Sequence, residues 1–437
     1  MQTIDTLIHA RWVLPIEPPE TILEHYAIAL DGDSIVELLP SAQAIEKYQP
    51  QQSHTLESHV VMPGLINTHT HSAMSLMRGL ADDLPLMSWL QSHIWPTESR
   101  WVSDSFVEDG SALAIAEMVR GGVTCFNDMY FFPEVTAQVA IQAGMRAVIG
   151  LIVLDFPSAW GGGADEYIEK GLTIHQQYHN SPHIHTAFAP HAPYTVSDAP
   201  LERIQILSAE LDLPIHMHIH ETAQEVEDAV SAHGIRPLKR LEQLGLLGPR
   251  LAAVHMTQLT EDEIQLLAER NVSVVHCPES NLKLASGFSP VDQLMKAGVN
   301  VALGTDGAAS NNDLDLLAEM RTAALLAKGV AGDATALSAH QALEMATLRG
   351  ARAIGLESLV GSLVAGKAAD LIAIDLGGLE SQPIYDVASH LVYATQRNQV
   401  REVWVNGQHL LHEGELLTLE SEKVMRQSRH WQGKIRP

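Results

Sequence analysis

The chain is poor in cysteine and in positive charge. Among 437 residues only two are cysteines, Cys125 and Cys277. Both sit in apolar, strand-like surroundings, which reads as two core thiols rather than a disulfide and fits a reducing cytoplasm. Lys and Arg number 27 against 53 Asp and Glu, a formal net charge of −26. Such a surface repels the phosphate backbones that nucleic-acid binders must neutralise, so DNA, RNA and anionic membranes are discounted as partners. A small neutral or zwitterionic substrate is compatible with it. No apolar run approaches the roughly 18 residues of a membrane span. The N-terminal MQTIDTLIHARWVLP lacks a basic start followed by an apolar stretch, so no signal peptide is expected and the expected location is the cytoplasm. Low-complexity tracts and short-period repeats are missing too.

What is present is an ordinary globular composition, 46% hydrophobic, with a three-part layout. Up to about residue 60 come short strand-like pieces, Thr6–Ile8, Tyr26–Leu30 and Ser34–Glu37, the last two separated by an Asp31-Gly32-Asp33 turn. From about residue 361 the same texture returns in Ala369–Ile374 and in Val403–Val405 with its Asn406-Gly407 turn. The two ends, 1–60 and 361–437, are therefore expected to pair into one small β-sandwich. Residues 61–360 alternate apolar runs with helical patterns, the signature of βα units. Eight candidate strands are Val60–Ile66, Gly122–Phe126, Arg146–Leu151, Ile184–Ala189, Pro214–His218, Leu251–His255, Val272–His276 and Val299–Gly304. Helices are expected over Ser105–Arg120, Ala199–Glu210, Thr260–Arg270 and Asp313–Ala327, among others. Eight strands with intervening helices fit a closed (β/α)8 TIM-like barrel, which takes about 250 residues.

The most informative stretch is PGLINTHTH, Pro63 to His71: an apolar strand, a Pro-Gly break, a second apolar step and a His-Thr-His ending. Side chains alternate along a strand, so His69 and His71 point the same way. Imidazole suits zinc, iron and nickel. With 23 histidines in the chain, an isolated pair is weak. It gains weight because other strand ends carry ligand or acid–base types: His191 after strand 4, His218 at strand 5, His255 at strand 6 and Asp306 after strand 8. A barrel enzyme places its active site at these C-terminal strand ends. At strand 5, His216, His218 and His220 fall on one face, and periodicity does not choose among them, although His216 lies deeper.

The ordered set PGLINTHTH, HMHIHET, AVHMTQL and LGTDGAASNN resembles the amidohydrolase superfamily. It is most similar to the branch that includes 5′-methylthioadenosine/S-adenosylhomocysteine deaminases and chlorohydrolase-like proteins. The resemblance spans nearly the whole chain. It implies His69, His71, His218 and Asp306 as metal ligands, with His218 selected because it stands three residues before a catalytic Glu, Glu221. It implies His255 as an acid–base residue that stands beside the metal without binding it and acts with Asp306. Trp95-Pro96-Thr97-Glu98 resembles the segment whose Glu contacts ribose hydroxyls. Pro190-His191-Ala192-Pro193-Tyr194 resembles the one whose His reaches the purine, and Asn281-Leu282-Lys283-Leu284 matches the loop after strand 7. Binuclear relatives bridge two ions with a modified Lys at the end of strand 4. Here that place holds His191 with no Lys nearby, so one divalent ion is expected, zinc or iron(II). The implied reaction is hydrolytic deamination of an adenine nucleoside. 5′-Methylthioadenosine comes first, then adenosine and S-adenosylhomocysteine, each going to the inosine analogue plus ammonia. Alternatives are a triazine hydrolase or free-base deaminase of the same superfamily, or a scaffold that has lost its metal. The ordered ligand set with Glu221 argues against the scaffold. Relatives form dimers or tetramers, so a homo-oligomer is expected. The cytidine-deaminase class is excluded, because neither cysteine lies in a P-C-x-x-C pair.

Overall fold

A computed structural model describes residues 1–436. Two eight-stranded sheets organise the chain. The central one is parallel throughout, with strands 1 to 8 at Leu65–Thr70, Val123–Asp128, Arg146–Val153, Ile184–Pro190, Ile215–Ile219, Leu251–His255, Ser273–His276 and Asn300–Leu303. Their residues are almost entirely buried, as expected where helices cover the outside and side chains fill the inside. Strands 1 and 8 meet through side chains. Thr68 donates to the Leu303 carbonyl at 2.7 Å, and the Asn67 amide donates to Thr305 Oγ1 at 2.8 Å. The Asp306 N–H donates to the His69 carbonyl at 3.0 Å. Gly304 permits this seam, since a Cβ there would lie 2.8 Å from the His69 Cβ. The architecture is a TIM-like barrel.

The second sheet is drawn from both ends of the chain. Its order is Glu415–Leu416, Gln408–His412, Val400–Val405, Leu371–Asp375, Tyr48–Pro63, Gln2–Val13, Leu23–Asp31 and Ser34–Pro40. All neighbours are antiparallel except Gln2–Val13 beside Tyr48–Pro63. Its own core holds Ile8, Ile28, Val61, Leu371 and Trp404. A buried, two-pronged ion pair ties it to the barrel: Arg146 reaches both oxygens of Asp370 at 2.8 and 3.0 Å.

The expected first barrel strand needs correction. Val60–Met62 is the end of the long terminal-sheet strand Tyr48–Pro63, and the barrel strand begins only at Leu65. Gly64 makes the switch of sheets, packed so close to Thr124 that a Cβ would overlap it at 2.0 Å. The expected helix at Asp313 starts later, at Leu316, because the Asp315 side chain caps the N–H groups of Leu317 and Ala318. The other expected helices run over Asp104–Arg120, Asp198–Leu211 and Glu261–Arg270. The last carries a capping box between Thr260 and Glu263.

Candidate metal centre and active site

Strand ends deliver four ligand-type side chains to one point. His69 belongs to strand 1 and His71 follows it. His218 belongs to strand 5, and Asp306 lies three residues beyond strand 8. One ligand atom of each falls within 4.8 Å of all the others. Asp306 Oδ1 stands 3.0 Å from His69 Nε2 and 3.2 Å from His71 Nε2, and His218 Nε2 is 3.1 Å from His69 Nε2.

The hydrogen bonds on the outer sides of these rings decide what the inner atoms can be. His71 Nδ1 donates to the Met129 carbonyl at 2.6 Å, and His218 Nδ1 donates to the His191 carbonyl at 2.8 Å. With Nδ1 protonated outward, each ring in its neutral form turns the Nε2 lone pair inward. Lone pairs facing a carboxylate and each other are repulsive unless a cation lies between them. Burial lowers His71, yet the hydrogen bond and charge of Asp306 raise it to about 9, so the cluster draws in positive charge. Burial pushes Asp306 up, but hydrogen bonds and charge from His69 and His71 outweigh it and hold the carboxyl well below its ordinary range. Three imidazoles and one ionised carboxylate fit one divalent ion of the zinc type.

Outer partners fix the ligands. His69 Nδ1 is 2.9 Å from His216 Nε2. Asp306 Oδ2 accepts from Ser280 at 2.6 Å and Ser310 at 2.8 Å. Backbone strain helps aim the groups. His255 and Asp306 have φ of 75° and 62°, conformations costing about 1–3 kcal/mol each outside glycine.

Beside the ligands, Glu221 is buried and its carboxyl is raised by desolvation. Its Oε2 lies 3.8 Å from His255 Nε2. His255 Nδ1 donates to Asn281 Oδ1 at 2.8 Å, so its Nε2 is free to accept a proton. The two carboxylates are thus pushed in opposite directions, Asp306 ionised and Glu221 toward the acid form, which separates a base from an acid. Glu225 clamps the backbone under Glu221. Its two oxygens accept the N–H groups of His220 and Glu221 at 3.0 and 2.7 Å.

A cavity of about 400 Å³ opens above the centre. His71, His218, Asp306, His255 and Glu221 form its floor, and His69 is fully buried behind them. Glu98, Trp95, His191 and Tyr194 stand in its wall with a largely apolar surround. Glu98 is partly exposed to the cavity and accepts the Tyr130 hydroxyl at 2.7 Å. The surrounding protein desolvates it and raises it to about 7. His191 is neutral, lowered to about 3 chiefly by burial. Its Nδ1 donates to Thr195, whose own proton goes to the Ala192 carbonyl. Its Nε2 is left as an acceptor. No Lys or Arg lines this cavity among the described residues.

Every site residue read from the sequence is therefore brought to one cavity and its floor, with one correction in the His triplet. His220 does not share the face of His216 and His218. Strand 5 ends at Ile219, His220 turns left-handed at φ 53°, and its Nε2 accepts the Leu238 N–H instead. His216, Ser280, Ser310 and Thr195 were not singled out as supports. Only the spacing of Ser310, four residues after Asp306, hinted at a contact.

A mononuclear centre at the mouth of a TIM-like barrel, with a buried acid beside it, defines a metal-dependent hydrolase. Residues 60–410 match the sequence model of the Amidohydrolase family, and the chain belongs to that family. It is 52% identical to a 5-methylthioadenosine/S-adenosylhomocysteine deaminase of Saccharophagus degradans, over 99% of this chain and 97% of that one. A protein of the same name from Teredinibacter turnerae is 48% identical, over 99% and 98% of the two chains. Among solved structures, an adenosine deaminase from Xanthomonas campestris with bound zinc superposes with a TM-score of 0.99. It is 53% identical, with 100% of this chain and 99% of that chain covered. The atrazine chlorohydrolase of Arthrobacter aurescens, 23% identical with a TM-score of 0.91, shares the fold over 98% and 99% of the two chains.

Proposed function

We propose that this chain deaminates adenine nucleosides hydrolytically and prefers 5′-methylthioadenosine. The observation that carries this reading is the pairing of the His69, His71, His218 and Asp306 cluster with a buried Glu221, its carboxyl raised by desolvation, in a cavity walled by Glu98. The names of the relatives at 48–53% identity support it.

The four ligands would hold one divalent ion, which when bound would acidify a water toward a pKa of roughly 7. The side chains do the rest. Asp306 and the bare Nε2 of His255 hold that water and take its proton. The water oxygen bonds to the amino-bearing carbon of the purine. Glu221 gives its proton to the adjacent ring nitrogen, so the ring accepts the electron pair. The proton held by Asp306 or His255 passes to the amino group, the remaining hydroxyl proton returns to Glu221 as the carbonyl forms, and the carbon–nitrogen bond breaks to release ammonia. His191 steadies the base from the side, and Trp95 packs against the nucleoside. Glu98 accepts hydrogen bonds from the ribose hydroxyls.

The role of Glu98 separates a nucleoside site from a triazine or free-base site. Glu98→Ala is expected to lower kcat/KM for adenosine by about 10- to 100-fold, the net worth of about one charge-assisted hydrogen bond. Adenine, a poor substrate throughout, should be hardly affected. Equal losses for the two would show that Glu98 is structural.

The 5′ substituent is read by the cavity wall. S-Adenosylhomocysteine carries a carboxylate there, and burying one without a partner is costly. Arginine grips a carboxylate with a paired fork that apolar groups do not replace. Residues 151–190 contain no Arg. Their only Lys, Lys170, is turned to Glu166 and the Trp160 carbonyl. The wall near Ile152, Leu154 and Phe156 is apolar and suits a methylthio group.

A further inference from the structure

We infer that the terminal sheet holds a second divalent transition-metal site, formed by Glu402, His409 and His412. None of the three lines the barrel cavity. Ligand-type atoms of all three lie within 4.8 Å of one another. Glu402 Oε2 receives His409 Nε2 at 2.7 Å and His412 Nδ1 at 2.9 Å. Its Oε1 accepts the Glu413 N–H at 3.1 Å, which anchors the carboxylate in place.

The arrangement is built by a bulge. Strands Val400–Val405 and Gln408–His412 form a hairpin through Asn406-Gly407, both at positive φ as a tight hairpin turn demands. Trp404 pairs with His409, but Val403 pairs with Leu411, so Leu410 is the extra residue. In a regular strand His409 and His412, three apart, would point to opposite faces. The inserted residue returns both to Glu402, which is how bulges re-aim side chains.

The site is also held in advance. Glu402 is buried, and the His409 ring stacks on Trp404 with centroids 4.4 Å apart at 14°. His412 is half exposed and leaves a path for an ion to enter. A third imidazole stands by. The His54 ring centroid lies 5.4 Å from that of His409, and its Nε2 is shielded from solvent without any hydrogen-bond partner. Water on a bound ion would give that nitrogen a donor. Two imidazoles and one carboxylate select zinc, nickel or copper over calcium or magnesium, which require oxygen ligands. Ligand atoms around tetrahedral zinc lie roughly 3.3 Å apart, so the present 2.7–2.9 Å pairs open by about half an ångström as the protons leave. The consequence is structural. The ion pins the C-terminal hairpin rather than taking part in the barrel chemistry.

The test uses the full chain without a polyhistidine tag, its barrel site first loaded with one zinc. Calorimetric titration with further zinc should show one more equivalent per chain. That equivalent should weaken at least about tenfold in His412→Gln and vanish in the His409→Asn/His412→Gln double variant. Both variants should keep the first zinc and the wild-type hydrolytic rate. Added zinc should also raise the Tm of the loaded wild type but not of His412→Gln. That single change falls on a half-exposed residue and decides the matter if the double variant does not fold. No uptake beyond the first zinc up to about millimolar concentration, or uptake unchanged by His412→Gln, overturns the site.

Discussion

Glu221→Gln is expected to keep its metal and lose about 10²- to 10⁴-fold in turnover, the usual worth of a positioned acid or base. Glutamine has nearly the same shape and fills the same buried place, so the four ligands and the 3.8 Å approach to His255 have no reason to move. What it lacks is the transferable proton. The purine ring nitrogen then receives no proton as the water oxygen adds, and the electron pair has nowhere stable to go. Burial raises the Glu221 carboxyl and so favours the form that carries that proton. Metal analysis and ammonia release on the same sample check both halves of the statement. Near-wild-type turnover with metal in place would remove Glu221 from the role of acid.

Replacing any one of His69, His71, His218 or Asp306 by Ala is expected to lower metal content and activity together. The fall in affinity should exceed the roughly 10- to 100-fold typical of losing an outer partner. His69 should be the most damaging of the histidines. It is fully buried, and its loss strips a partner from both His216 and Asp306. An unpaired buried polar group adds about 1–3 kcal/mol of instability. His216→Gln provides the graded comparison, because it removes the support of His69 while sparing all four ligands. Its expected cost is the 10- to 100-fold range itself. Equilibrium zinc competition against a chelator, read beside ammonia release, measures the series. A ligand variant with full metal and no activity, or with full activity and no metal, would break the linkage.

The sequence was most legible where backbone periodicity alone decides placement. Strand ends put His69, His71, His218, His255 and Asp306 at one end of the barrel, and the structure brings them together there. It was less legible where the chain changes partners. Val60–Met62 looks like a barrel strand because it is apolar and precedes the His pair, yet it belongs to the terminal sheet. The crossing at Gly64 depends on contact with Thr124, a residue sixty positions away. His220 was misplaced because the strand alternation stops at Ile219 and His220 itself turns left-handed, which no periodicity shows. Supports such as His216, Ser280 and Tyr130 could not be read at all, since each acts on a residue far along the chain. The same holds for the C-terminal helix Ser421–Ile435. Its Trp431 packs edge-on to Phe106 and donates to Asp109, over 300 positions away.

Ammonia release by the zinc-loaded chain tests the central claim most directly. It is measured across 5′-methylthioadenosine, adenosine, S-adenosylhomocysteine, adenine and an aminotriazine under matched salt and pH. The expected order of kcat/KM places 5′-methylthioadenosine first, adenosine near it, S-adenosylhomocysteine clearly lower, and adenine and the triazine far behind. Comparable values for the two thioethers would reveal a cation at the 5′ position that the cavity wall does not show. Ammonia from the triazine or from adenine with none from any nucleoside would contradict the account.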